Sequence, residues 1–167
     1  TVVGLIGENG AGKSTIIKSI LGVVHSDSGH ILFNGTEISK ISKKERQQIS
    51  FVLDDTGLPM ELNLTMLCNV LSCIYDKWDA AKFSELIRRF SLPDKKALKE
   101  FSKGMKMKAA IAVALSYDSR LLILDEPTSG LDPVVRDEML QMIYDYNKDG
   151  NRAVLLSSHI TTCLLYT

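Results

Sequence analysis

Thr1-Val2-Val3-Gly4-Leu5-Ile6-Gly7-Glu8-Asn9-Gly10-Ala11-Gly12-Lys13-Ser14 joins a short apolar run to a glycine-rich loop. The apolar run predicts a buried strand, because it is short and glycine follows it at once. Gly7 to Ser14 fits the pattern G-x-x-x-x-G-K-[ST]. Residues 13–21 predict a helix, with Ile16, Ile17, Ile20 and Leu21 on one face and Gly22 ending it. Strand, loop and helix in this order are the context that makes the pattern a phosphate loop. Glycines let backbone N–H groups turn toward phosphate, and the helix N-terminus adds partial positive charge. Asn9, Gly10, Ala11, Gly12, Lys13, Ser14 and Thr15 are therefore the candidate nucleotide-binding residues. Lys13 is expected to reach the β- and γ-phosphates, and the Ser14 hydroxyl to ligate Mg²⁺.

The rest of the chain repeats the alternation of strand and helix. Residues 30–33 predict a strand ending in an Asn34-Gly35 hairpin turn. Ser42 is a candidate cap for a short polar helix, and residues 49–53 predict a strand. From 65 to about 90 the period becomes helical, with Thr65 and Asp79 as candidate N-caps. Residues 104–115 read as an Ala-rich helix and 121–124 as a buried strand. Asp132-Pro133 starts a further helix with Val135, Met139, Met142, Ile143 and Tyr146 on its apolar face. Residues 153–156 predict a last strand before Ser157-Ser158-His159. The expectation is an α/β fold with a mostly parallel sheet covered by helices. Residues 59–117 break the alternation and read as an inserted helical subdomain, with 1–58 and 118–167 forming one core.

Composition narrows the class. The 167 residues suffice for one domain with a real core. Twenty Lys and Arg balance twenty Asp and Glu, so no net charge favours nucleic acid or an anionic membrane. No window approaches ~18 uncharged apolar residues, so no span of a bilayer is expected. Cys68, Cys73 and Cys163 lack metal-ligand spacing and are odd in number, which points to reduced thiols in a cytosolic protein. Cys68 and Cys73 are expected on helical positions in the core.

Further motifs carry phosphate chemistry. Asp125 ends the strand of residues 121–124, at the carboxyl edge of the sheet, where it can hold the Mg²⁺ shell. Glu126 follows and can orient or deprotonate the attacking water. Ser102 and Gly104 lie just before a predicted helix, a second anion-binding terminus.

Together these pieces resemble the ATPase subunits of ABC transporters over nearly the whole chain. The resemblance implies a phosphate-loop NTPase core whose helical subdomain carries the signature L-S-G-G-Q. Here Phe101-Ser102-Lys103-Gly104-Met105 stands in its place, retaining Ser102 and Gly104 and departing at Lys103, which adds a charge, and at Met105. It implies that Ser102 and Gly104 bind the γ-phosphate of ATP held by a second subunit, head to tail. Ser129-Gly130-Leu131-Asp132 is similar to the family's loop across the dimer interface, and Asp132 can also cap its helix. His159 matches the family's switch histidine. Asp54 aligns with the family's glutamine that contacts Mg²⁺ and water, although a carboxylate cannot donate a hydrogen bond unless protonated. A solvated Asp-Asp turn is the other reading of that segment.

The resemblance implies ATP and Mg²⁺ as cofactors, hydrolysis as the activity, and a separate transmembrane subunit as partner at the inner face of the cell membrane. The Phe-Ser-Lys-Gly-Met form and the Asp-Asp turn are similar to exporter ATPases. The family's N-terminal antiparallel strands, including an adenine-stacking aromatic, are expected to be largely missing, as are its last helices and strands. Alternatives are a soluble ABC-class ATPase not linked to transport, or an ATP-binding regulatory module without turnover. The chromosome-maintenance branch needs a long coiled coil, and no such heptad run is present.

Overall fold

The computed structural model describes residues 1–128, 131–148 and 150–158. Four strands form one parallel sheet: β1 (Val2–Ile6), β4 (Ile49–Val52), β5 (Leu121–Asp125) and β6 (Ala153–Ser158), in the order β1-β6-β5-β4. A separate antiparallel ribbon pairs β2 (Leu32–Phe33) with β3 (Thr36–Glu37). Its turn is the expected Asn34-Gly35, both at positive φ (50° and 83°), as a type I′ hairpin demands.

Helices cover both faces of the parallel sheet. On one side Ile17 and Leu21, from α1 (Lys13–Ile20) and its cap, pack with Ile38, Ile41, Ile49 and Ile123. On the other, Val52, Leu122, Leu124, Val154 and Leu156 meet α5 (Lys103–Leu115) and α6 (Pro133–Asn147). Neighbouring residues of β5 thus serve opposite layers, as the two-residue strand period requires. α3 (Leu64–Ile74) and α4 (Ala80–Arg89) join the second cluster through Leu64, Leu67, Phe83, Leu86 and Ile87.

Local sequence sets the helix starts. Ser42 and Glu45 form a capping box on α2 (Lys43–Arg46). Asp79, Ser102 and Asp132 each accept a first-turn N–H of α4, α5 and α6. Thr65 does not cap α3. Asn63 does, two residues earlier, accepting from the Met66 N–H at 2.9 Å. Its backbone is held extended by a bridge to Ala97, a partner distant in sequence.

The cysteine expectation also needs correction. Cys73 is exposed and Cys68 only half-buried. At about 100° per residue, Cys73 falls opposite Leu64, the residue that faces the core. Cys68 instead takes the Trp78 indole N–H at 3.4 Å. On α1, likewise, Ile16 is exposed while Ile17 is fully buried. No helix among the described residues is long and apolar enough to cross a membrane.

Candidate functional site

Parallel register builds the site. β1, β4, β5 and β6 run the same way, so the segments that follow them leave from one edge of the sheet. Ile6 lies opposite Ser158, Asp125 opposite Ser157 and Val52 opposite Leu124. The glycine loop, Asp54 and the Asp125-Glu126 pair are therefore neighbours at one rim.

An open cavity of about 410 Å³ occupies that rim, lined by Asn9, Gly10, Gly12, Lys13, Ser14, Thr15, Asp54 and Glu126. Gly10 and Gly12 adopt φ of 85° and 89°, and a Cβ built on either meets nothing within 4 Å. The left-handed backbone, not crowding, is what selects glycine there. Ala11 lies outside this lining, its N–H donating to Glu8 O at 3.2 Å within the loop.

Lys13 is only 6% exposed although it is charged. Its ammonium donates to the carbonyls of Gly7 at 2.7 Å and Glu8 at 3.0 Å. It also stands 3.2 Å from Glu126 Oε1. Three oxygen acceptors thus pre-place one positive charge at the cavity wall, which makes its burial tolerable.

Asp125 is 2% exposed and lies beneath the rim. Its Oδ1 accepts a 2.7 Å bond from the Ser157 hydroxyl, whose oxygen in turn accepts the Glu126 N–H at 2.9 Å. Glu126 has φ 48°, a left-handed conformation that costs a non-glycine residue about 1–2 kcal/mol. Ser157 holds that turn, which carries the Glu126 side chain to Lys13 and the cavity. Ser157 escaped the sequence reading because nothing local marks it. Its partners are reached only across the β5–β6 register.

Ser102 and Asp132 cap their helices, with bonds to the N–H groups of Met105 at 3.3 Å and Val135 at 3.1 Å. Both are exposed. Neither they nor Gly104 line the cavity. Gly104 lies against the segment after β5, since a Cβ there would stand 3.4 Å from Leu131 Cδ2. His159 lies outside the described residues, as do Ser129 and Gly130. Asp54 lines the cavity and also pairs with Lys103 at 2.8 Å.

Oxygen donors suit a hard divalent cation, and Ser14, Asp54 and the recessed Asp125 are such donors. Among the described residues no group of three or more His, Cys, Asp or Glu forms a metal cage by itself. The donor set fits a Mg²⁺ ion that takes its other ligands from phosphate and water.

The ABC transporter family model matches residues 1–129. The chain belongs to the ABC transporter family. Its relatives include the ABC transporter ATP-binding protein YtrB of Bacillus subtilis, 34% identical over 95% of this chain and 54% of that protein. The lantibiotic transport ATP-binding protein SrtF of Streptococcus pyogenes is 36% identical, over 95% and 68%. The chain thus spans about half to two thirds of the length of these curated relatives. Among solved structures, an ATP-binding subunit of an ABC transporter superposes with a TM-score of 0.82 at 32% identity. That match covers 96% of this chain and 68% of the other. An ATP-binding cassette dimer described as a post-hydrolysis state bound to ADP and Pi shares the fold, with a TM-score of 0.83 at 21% identity. It covers 97% of this chain and 75% of that one. The ABC family fold is thus the α/β, parallel-sheet architecture described above.

Proposed function

We propose that this chain is the nucleotide-binding part of an ABC transporter ATPase that binds and hydrolyses ATP with Mg²⁺. One observation carries the reading: buried Lys13 and the left-handed Gly10 and Gly12 line one open cavity with Ser14, Asp54 and Glu126. Backbone N–H groups of the loop and the N-terminus of α1 cradle the phosphates. Lys13 exchanges carbonyl partners for phosphate oxygens. Ser14, Asp125 and Asp54 are the residues that would hold Mg²⁺. The ion, when bound, neutralises charge on the β- and γ-phosphates. Glu126 orients the attacking water and accepts its proton. His159 completes the γ-phosphate contacts in this reading.

Residues 59–117 act as a signature subdomain. Ser102 and Gly104 present the N-terminus of α5 to ATP on a second subunit, and Asp132 lies beside that interface. The exposed Ser102 and its absence from the chain's own cavity support this division. The pair works beneath a transmembrane subunit at the cytoplasmic face of the membrane. Export is the direction proposed, on the form Phe101-Ser102-Lys103-Gly104-Met105 and on the Asp54-Asp55 turn.

The test is titration calorimetry and turnover on the whole protein. Lys13→Ala should abolish measurable ATP binding while far-UV circular dichroism is unchanged. Glu126→Gln should keep binding and lose turnover. Undiminished ATP affinity in Lys13→Ala would refute the reading.

A further inference from the structure

Two of the residues at which this chain departs from its family's pattern, Lys103 in the signature and Asp54 at the glutamine position, touch each other. Lys103 Nζ lies 2.8 Å from Asp54 Oδ1. Lys103 is the first residue of α5, and Asp54 follows β4 and lines the cavity. The side chains are 62% and 58% exposed, so burial does not force the contact. In the same turn of α5, Gly104 lies beside the segment after β5, where an added Cβ would stand 3.4 Å from Leu131 Cδ2. The N-terminus of α5 thus lies between the segment after β4 and the segment after β5, tied to the first of them by the ion pair.

We propose that the Lys103–Asp54 pair is a latch that fixes the first turn of α5 to the cavity rim, and that a divalent cation in the cavity opens it. The second half rests on the nucleotide reading above. The Asp54 carboxylate is shared ground: a cation drawn to it meets the Lys103 ammonium already 2.8 Å away. Two positive charges on one carboxylate repel, so each binds more weakly in the presence of the other. Linkage makes the effect reciprocal. The cation weakens latch closure by the same factor by which closure weakens cation binding, and loss of Lys103 strengthens cation binding by at most that factor. For an exposed pair that factor is about two- to five-fold. The state of one chain's cavity is thereby felt at that same chain's α5 terminus.

Hydrogen exchange of the Met105 and Lys106 amides reads the latch directly, because both donate to Ser102 in the first turn. The whole protein is used without nucleotide, diluted until light scattering reads single chains. Lys103→Met and Asp54→Asn should each raise exchange about two- to five-fold, and the double variant no further. Lys103→Asp with Asp54→Lys should restore protection. Additive single effects, or none, would overturn the latch. In a second arm, Mg²⁺–ADP binding is followed by calorimetry. Exchange should then rise in wild type and stay level in Asp54→Asn, and Lys103→Met should bind Mg²⁺–ADP more tightly, by up to that factor. Binding without a rise in exchange would overturn the cation linkage and leave the nucleotide reading intact. Failure of wild type to bind Mg²⁺–ADP would overturn that reading and the linkage with it, while the first arm still decides the latch.

Discussion

Replacing Ser157 with alanine should be far more damaging than loss of one small hydroxyl suggests. Ser157 is fully buried and serves two partners at once. Its hydroxyl donates to Asp125 Oδ1 at 2.7 Å and accepts from the Glu126 N–H at 2.9 Å. The first is a bond to a buried charged group, worth about 1.5–3 kcal/mol. The second leaves a partly buried N–H without its hydroxyl acceptor, at about 1–3 kcal/mol. Alanine adds no bulk, so overpacking does not contribute. Partial relaxation trims the sum, and we expect a loss of about 2–4 kcal/mol. That is a large share of the roughly 5–15 kcal/mol that holds a typical domain together. Urea unfolding of wild type, Ser157→Ala, Asp125→Asn and the double variant measures it. Once Asp125 is neutral, much of the Ser157 effect should vanish, giving a coupling of at least about 1 kcal/mol. A loss under about 0.5 kcal/mol, or strict additivity with Asp125→Asn, would refute the assigned network. Turnover should fall together with stability, since the Ser157–Glu126 bond fixes the left-handed turn that aims Glu126 at the cavity.

Three further outcomes are expected. Gly12→Ala should destabilise the nucleotide-free protein by about 1–2 kcal/mol through its backbone alone, because φ is 89° and the space is open; a neutral melt would mean the loop does not hold that conformation. Mixing inactive Ser102→Arg and Lys13→Ala variants of the whole protein should restore ATPase activity in the heterodimer, each chain supplying the half the other lacks; no recovery in proven heterodimers would count against a shared site. Bonds from the Ser42 hydroxyl, then its backbone N–H, hold the Glu45 carboxyl below the ordinary glutamate value. The cap's contribution should therefore be present above that ordinary value and lost as pH falls through the lowered one. An NMR titration of Glu45 should show a depressed midpoint that rises in Ser42→Ala, and an unshifted wild-type midpoint would contradict the cap.

Much of this protein is local, and the local part is legible in the residues. A phosphate loop needs glycines at left-handed positions, a lysine and a hydroxyl in one short stretch, and Gly7 to Ser14 supplies all of them. Ser42, Asp79, Ser102 and Asp132 announce helix starts because a cap acts on amides two or three residues away. Alternating strands and helices dictate a parallel sheet, and that sheet puts the strand ends on one edge. The tertiary structure alone decided what depends on partners remote in sequence. Asn63 displaced Thr65 as a cap because Ala97 holds it extended. Periodicity could not say which face of α3 would be covered, so Cys73 came out exposed. Ser157 acquired its role from the register of β6 against β5. Lys103 met Asp54 only because α5 packs back onto the end of β4. A motif records what a backbone segment can do for itself, whereas hydrogen bonds and ion pairs between segments exist only once packing has fixed the distance between them.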